Sequence, residues 1–509
     1  MPAPSLSYRR FVANVAAGAG GRAAAILVAL ALTTVLVRTL GAAGYGTWSF
    51  FFVLLGFHAQ LDLGLSVALE RAVARAAADE RWTHVPALLC SGLLLAAALS
   101  ALLQVAALTW PARWEAALGD PQTVRACLLV LPVCLFCSNA AAVTGAGLSG
   151  LQRTTTLALL RTVVGALAAG LVAGLAVAGV RRLDLLLACY AAGLAAAALA
   201  GAVAVARELP ATGAGSAWRP DRAALGELLR IGGPLQATTL AAQLGDQALR
   251  LIVGSRFGPA AMGLYDLASR AAIAPRTLVS SLLVALVPFA AGRERRDGRG
   301  AYTETLWMAT KYTTLLIVPA TVAGLIVARP LMAIWLGPDT AIAADAARLF
   351  AVLLVALACQ AISGPMVALA RADGRPGPEA VVTVIAQPVA VALAAARLSL
   401  DGVITTFAVV ITASVWVLWI HLRRRLAVSG PGGRWLAPLA GMTAGVGVVA
   451  WAAHMSAIAD TAPWTTLVAA PALIAGTGAA LALALGAIPA AERQVLSGFL
   501  ARLAPWSRS

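Results

Sequence analysis

The sequence predicts an all-α, polytopic membrane protein, and three observations carry that prediction. Hydrophobic residues make up 61% of the 509 and charged residues only 12%, about half of the roughly 25% charged share in ordinary globular domains. Mean hydropathy is correspondingly high, at +0.86. The apolar residues fall into runs near the roughly 20 residues that an α-helix needs to cross hydrocarbon, and fourteen such spans can be drawn. Basic residues are also divided unevenly between alternate connections. A transmembrane barrel would instead show alternating segments of about ten residues, and the sequence has no such pattern.

The first six spans run from Phe11 to Val37, Tyr45 to Leu69, Val85 to Trp110, Thr123 to Leu148, Thr154 to Gly179 and Leu183 to Ala206. The next six are Leu229 to Val253, Met262 to Phe289, Tyr302 to Ala328, Ala343 to Ala370, Ala380 to Ala396 and Val403 to Leu422. Leu436 to His454 and Pro463 to Ala487 complete the set. Span 1 follows Arg9 and Arg10 but is longer than a signal-peptide core and lacks a clear small-residue cleavage site, so it reads as a helix. Alanine and glycine recur through many spans, which predicts close helix packing through small residues. The longest polar segment runs only from Arg207 to about Glu227, leaving no room for a soluble catalytic domain. The apolar stretch from Leu496 to Trp506, near Arg502 and Arg508, reads as an amphipathic segment on the membrane surface.

Charge orients the bundle. With a cytoplasmic amino terminus, the cytoplasmic connections and ends hold 23 of the 38 basic residues and the opposite connections hold 8. Positive-inside reasoning then places both termini in the cytoplasm. The net charge of +16 reads as topology and attraction to anionic lipid, not as nucleic-acid binding. The remaining seven basic residues are Arg22, Arg161, Arg250, Arg270, Arg276, Lys311 and Arg348, all within spans. Each costs about 2.5–3.5 kcal/mol at a helix centre on insertion scales, so such residues face protein or water and mark candidate function.

A repeat divides the chain. Leu40 to Trp48 reads LGAAGYGTW after span 1, and Phe257 to Tyr265 reads FGPAAMGLY after span 7. Gly41 aligns with Gly258, Gly46 with Gly263, and Trp48 with Tyr265. Two six-helix lobes are therefore expected, residues 1–206 and 229–425, joined by a cytoplasmic linker at 207–228. Two additional helices at 426–487 and a cytoplasmic tail at 488–509 follow. Transporters built from repeats commonly hold substrate between them and alternate access by rocking.

Asn14, RTLGAAGYG at Arg38 to Gly46, LDLGL at Leu61 to Leu65, SGLQR at Ser149 to Arg153 and FGPAAMGLYDLASR at Phe257 to Arg270 resemble the Wzx-type polysaccharide flippases. These belong to the multidrug/oligosaccharidyl-lipid/polysaccharide (MOP) exporter superfamily, which also contains the lipid II flippases. The resemblance covers roughly residues 10 to 425. It implies a MOP-type two-lobed bundle in the bacterial inner membrane, moving undecaprenyl-pyrophosphate-linked sugar repeat units to the periplasmic leaflet. Membrane lipids and polysaccharide assembly proteins are the expected partners.

Span 7 carries Gln236, Thr239, Gln243, Asp246 and Arg250 at steps of three and four, one polar stripe that either lines a hydrated cavity or makes interhelical contacts. Span 8 carries Asp266 and Arg270 at i, i+4, then Arg276 after Pro275. Arg276 lies about fourteen residues into its span, near mid-membrane at roughly 1.5 Å per residue. Guanidinium binds phosphate oxygens bidentately, which makes Arg276 the leading pyrophosphate contact, with a structural partnership to Asp246 or Asp266 as the other reading. Arg22 shares a face of span 1 with Asn14 and Gly18, while Arg161 and Lys311 sit nearer helix ends and either snorkel or join the cavity. In span 2, His58 and Asp62 are four apart. They are candidates for coupling to a proton or sodium gradient, for a gate with Arg22, or for holding helices together. Asp246 and Asp266 are further candidates for gating or ion coupling.

Cys134 and Cys137 have CxxC spacing but sit inside an apolar span without a second pair or nearby histidines, so all six cysteines read as small packing residues. No Walker loop, nucleophile elbow or HExxH motif is present. Neither cofactor nor metal is expected. A multidrug cation antiporter, a membrane glycosyltransferase or polymerase, and a non-transporting scaffold are the competing readings. The excess of intramembrane arginine over aspartate favours an anionic substrate.

Overall fold

The computed structural model describes residues 8–60, 65–109, 121–210, 218–283, 300–336, 340–372 and 377–425, with isolated positions between 471 and 477. All regular structure among them is helical. The elements are α1 (Tyr8–Gln60), α2 (Leu65–Ala78), α3 (His84–Leu108), α4 (Pro121–Gly150), α5 (Thr154–Val177) and α6 (Leu183–Glu208). They continue as α7 (Arg222–Leu283), α8 (Gly300–Leu336), α9 (Thr340–Ala372), α10 (Gly377–Ala395) and α11 (Leu400–Arg425). Eight helices among the described residues are long and apolar enough to cross a membrane. Spans 13 and 14 and the amphipathic tail fall almost entirely outside the described residues.

Spans 1 and 2, expected as separate helices, run into one another in α1, whose only non-helical residue is Gly41 (φ 73°, ψ 174°). Spans 7 and 8 do the same in α7, broken only at Gly258 (φ 84°, ψ 175°). This backbone region is essentially restricted to glycine. One residue therefore does the work expected of a loop at both aligned positions. Span 2 was expected to extend to Leu69; helix is described in α1 up to Gln60 and again in α2 from Leu65. That helix buries Ala68, Leu69, Ala72, Val73 and Ala76 while Glu70, Arg71 and Arg75 stay exposed, a one-faced pattern unlike a lipid-crossing segment. The polar segment after span 6 also supplies helix at both ends, since α6 reaches Glu208 and α7 starts at Arg222. Asp221 caps α7 by accepting from the Ala224 amide at 3.2 Å.

Two compact units divide the chain. The first comprises Met1–Ala274, Trp335–Leu349 and Glu379–Ser414. Within it α4 packs chiefly on α6, α5 on α1 and α6, and α2 and α3 on α4. A core cluster joins Leu69, Val73, Leu88, Val143, Val205 and Leu228 from five helices. Small residues permit the contacts: a Cβ on Gly193 would stand 2.2 Å from the Cβ of Ala168, and one on Gly201 would stand 2.5 Å from the Thr144 Oγ1. The SGLQR segment is a helix stop. Gln152 adopts φ 59°, its amide donates to the Ser149 carbonyl, and the Arg153 amide donates to the Leu148 carbonyl, a Schellman closure. Arg153 then pairs with Glu208 at 2.7 Å.

The second unit comprises Pro275–Ile334, Phe350–Pro378 and Val415–Ser509. Its core includes Val279, Ile317, Ala358 and Ala361. Trp307 and Trp416 pack on Trp419, and the Arg423 guanidinium lies 5.7 Å from the Trp419 ring centre. Tryptophan and arginine clustered at helix ends are the usual signature of a membrane interface.

Candidate functional site

The aligned motifs meet in space, both within the first unit. A Cβ added to Gly46 would stand 1.7 Å from the Pro259 carbonyl oxygen, and one added to Gly263 would stand 2.8 Å from the Ala42 carbonyl oxygen. The break glycines Gly41 and Gly258 turn the chain, and Gly46 and Gly263 let the two backbones touch. Trp48 and Tyr265 are both buried beside this contact. Equivalent residues of the two motifs thus perform equivalent jobs on facing segments.

A polar cluster is built onto this junction. Asp266 is 1% exposed and accepts three donors: Tyr45 Oη at 2.6 Å, Arg270 Nε at 2.6 Å and Arg250 Nη1. Arg250 also donates to Asp246 at 3.2 Å. Tyr265 Oη donates to Asp246 at 3.4 Å, and its ring lies 5.6 Å beneath the Arg250 guanidinium. Arg270 stands 6.0 Å from the Phe52 ring centre. Two aspartates and two arginines therefore neutralise one another, with aromatic rings covering both guanidiniums. The i, i+4 spacing of Asp246 with Arg250 and of Asp266 with Arg270 is realised. The tertiary fold adds the cross-link from Arg250 to Asp266 and the tie from Tyr45 of α1 to Asp266 of α7.

Arg276 belongs to the second unit, where Nη1 donates to the Gln360 side-chain oxygen of α9 at 2.9 Å. Lys311 is buried, with Nζ 4.7 Å from the Tyr312 ring centre. Arg161 is exposed on α5, its guanidinium against Gly145. Arg348 is exposed and pairs with Asp345 and, at 3.8 Å, with Asp401. Arg22, Gln236, Gln243 and His58 lie on described helix, but their side chains are outside the described residues, as is Asp62 entirely. The structure brings together Arg250, Arg270, Asp246 and Asp266. Arg161, in the same unit, takes no part in that cluster, while Arg276 and Lys311 belong to the second unit.

Sequence reasoning missed Tyr45 and Gln360. Tyr45 sat within the repeat, between Gly44 and Gly46, as the one hydroxyl-bearing ring of its motif. Gln360 is an uncharged amide in an apolar span, and only the packing of α9 against α7 reveals its partner. The six cysteines are free, and the described residues contain no cluster suited to a metal.

Residues 35–339 match the family described as polysaccharide biosynthesis protein. The chain belongs to that family. Its fold agrees. A lipid II flippase, MurJ, in an inward closed conformation superposes with a TM-score of 0.71 at 12% identity, over 94% of this chain and 98% of the other. An inward-facing multidrug resistance MATE family transporter of the MOP superfamily gives 0.67 at 16% identity, over 79% and 94%. No curated protein sequence matches. The chain is thus a member of the polysaccharide biosynthesis family, and it shares the fold of two solved membrane proteins, a flippase and a transporter by name. The all-α polytopic architecture of the MOP type is likewise established, while the number fourteen extends beyond the described helices.

Proposed function

We propose that this protein is a flippase that moves undecaprenyl-pyrophosphate-linked oligosaccharide repeat units from the cytoplasmic to the periplasmic leaflet of the bacterial cytoplasmic membrane, for cell-surface polysaccharide assembly. Membership of the polysaccharide biosynthesis family carries this reading. The fold shared with a lipid II flippase supports it, since that protein is by name a flippase of a lipid. The substrate's diphosphate needs a concentrated positive charge away from bulk water, and Arg276, held by the neutral Gln360, supplies one. Arg22, Gln236 and Gln243 complete the substrate set, with Lys311 in support.

Asp246 and Asp266 serve as a gate. While Asp266 holds Tyr45, Arg250 and Arg270, the segments around Gly41 and Gly258 stay together. Separating them would free both arginines for an anionic substrate, so their roles in gating and substrate binding alternate. A carboxylate shared by competing cations is a bistable element of the kind that alternating access needs. The lobes 1–206 and 229–425, the linker at 207–228, helices 426–487 and the tail at 488–509 form the rocking framework. His58 and Asp62 couple it to a proton or sodium gradient. The arginine distribution supports cytoplasmic termini, which puts the Gly41 and Gly258 junction on the periplasmic side.

The test is leaflet accessibility of a lipid-pyrophosphate oligosaccharide in proteoliposomes, comparing the intact protein with Arg276→Gln at matched reconstitution. Protein-dependent translocation lost in the variant is expected. Translocation that survives moves Arg276 to a purely structural role. Transport of organic cations without any glycan-lipid translocation overturns the substrate assignment.

A further inference from the structure

A slot of about 290 Å³ lies among α4, α5 and α6, and none of the Asp266 cluster residues lines it. Its lining is mostly small and apolar, with Ala141 from α4, Val164, Gly165 and Ala168 from α5, and Ala197 from α6. One charge enters it, the Arg161 guanidinium. Arg161 occupies the space that a side chain at Gly145 would take: a Cβ there would stand 3.2 Å from Nη2. No carboxylate pairs with Arg161 among the described residues, unlike Arg153, Arg250, Arg270 and Arg348.

Position along the helices gives the slot a polarity. Arg161 lies seven residues into α5, roughly 10 Å from its start at 1.5 Å per residue. Ala168, seven residues further on, lies roughly another 10 Å toward mid-membrane. Tyr190, its ring tilted against Phe52 with centres 4.9 Å apart, borders the deep end. The outward faces of the same helices are apolar and exposed, with Leu159, Val163 and Leu167 on α5 and Leu199 and Val203 on α6. The slot is therefore a cation below the headgroup level followed by a hydrocarbon-lined channel, opening beside surface that contacts bilayer.

We infer that this slot holds one acyl chain of an anionic phospholipid from the leaflet nearer the α4–α5 turn, with its phosphate against Arg161. Charge complementarity selects the head, because a guanidinium in apolar surroundings favours a phosphate over a zwitterionic or neutral group. Volume selects against the transported substrate. About 290 Å³ lies just below the roughly 300–1,000 Å³ of pockets that take drug-sized ligands, room for part of one chain and not for the sugars of a lipid-linked oligosaccharide. The bound lipid supplies the counter-charge that no carboxylate among the described residues supplies. The inference stands independently of the transport assignment.

The experiment uses the full chain in phosphatidylcholine nanodiscs containing a few mole per cent of phosphatidylglycerol that bears a diazirine in one acyl chain. Cross-links are mapped by mass spectrometry. Labelling is expected at slot-facing Val164, Gly165 and Ala197, falling about tenfold under excess unlabelled phosphatidylglycerol and hardly at all under excess phosphatidylcholine. Arg161→Gln should lower slot labelling at least fivefold, Arg161→Lys should retain most of it, and Gly145→Leu should lower it with Arg161 still present. Labelling at the outward Leu159 is the internal standard for a folded, inserted protein and should not change. Slot labelling equal in the intact protein and Arg161→Gln overturns the inference, as does competition by phosphatidylcholine as effective as by phosphatidylglycerol. Stronger competition by a lipid-pyrophosphate glycan than by phosphatidylglycerol also overturns it, since the occupant would then be the substrate.

Discussion

The bond from Tyr45 to Asp266 should be worth far more than an ordinary hydrogen bond between membrane helices. Neutral interhelical hydrogen bonds in membranes average about 0.6 kcal/mol in double-mutant cycles, whereas a bond to an ionised acceptor contributes about 1.5–3 kcal/mol. Asp266 is 1% exposed and pairs with two guanidiniums, and the Tyr45 bond is short at 2.6 Å. A cycle of Tyr45→Phe and Asp266→Ala should therefore return a coupling of about 1.5 kcal/mol or more, roughly a tenfold change in the unfolding equilibrium. Tyr45→Phe keeps the ring and removes only the donor. Asp266→Ala alone should cost about 3–5 kcal/mol, because it leaves Arg250 and Arg270 without their shared carboxylate. The assay is reversible unfolding in mixed micelles followed by tryptophan fluorescence. Tyr265→Phe is the contrast: its 3.4 Å contact reaches a carboxylate that is 41% exposed, so its loss should cost less than Tyr45→Phe. A coupling at or below about 0.6 kcal/mol would refute the reasoning, since the bond would then behave like any neutral contact.

Other predictions follow from the junction and the surface. Gly41→Ala and Gly258→Ala should each cost about 1–3 kcal/mol through backbone conformation alone, since no atom lies within 4 Å of either added Cβ. Gly46→Ala should be worse than both, as its Cβ meets the Pro259 carbonyl and the two segments must part; thermal unfolding of the three variants gives the ranking, and equal losses would contradict it. Arg153→Ala should change stability by less than about 1 kcal/mol, because its pairing with Glu208 is 55% exposed on the arginine side. Thermal unfolding that drops by far more than this would show the pair to be shielded.

Most of the architecture was legible because membrane folding is governed by local arithmetic. A helix must satisfy its own backbone in hydrocarbon, so the lengths of apolar runs reveal the spans. Local spacing also exposed the i, i+4 pairs of α7. Arg71 and Arg75 read as part of a cytoplasmic connection after Leu69, whereas they lie on α2, whose buried face only tertiary packing reveals. The connections at Gly41 and Gly258 looked like loops because ordinary turns consume several residues, whereas glycine can reverse the backbone alone. Arg276 read first as a pyrophosphate contact, and its hydrogen bond to Gln360 of α9, eighty-four residues away, had no signature in the sequence.

By itself the sequence determined that this chain is an all-α membrane bundle, that its motif at Leu40 recurs at Phe257, and that intramembrane charge is concentrated in the segment forming α7. Those properties depend on composition and on periodicity within one helix. Only the tertiary structure decided that the two copies of the motif face each other through Gly46 and Gly263, and that Tyr45 joins Arg250 and Arg270 on one buried carboxylate. It also decided that Arg161 enters an apolar slot at Gly145. Contacts of this kind depend on which faces of distant helices meet, and close approach in a membrane is set by small residues whose partners leave no local signature.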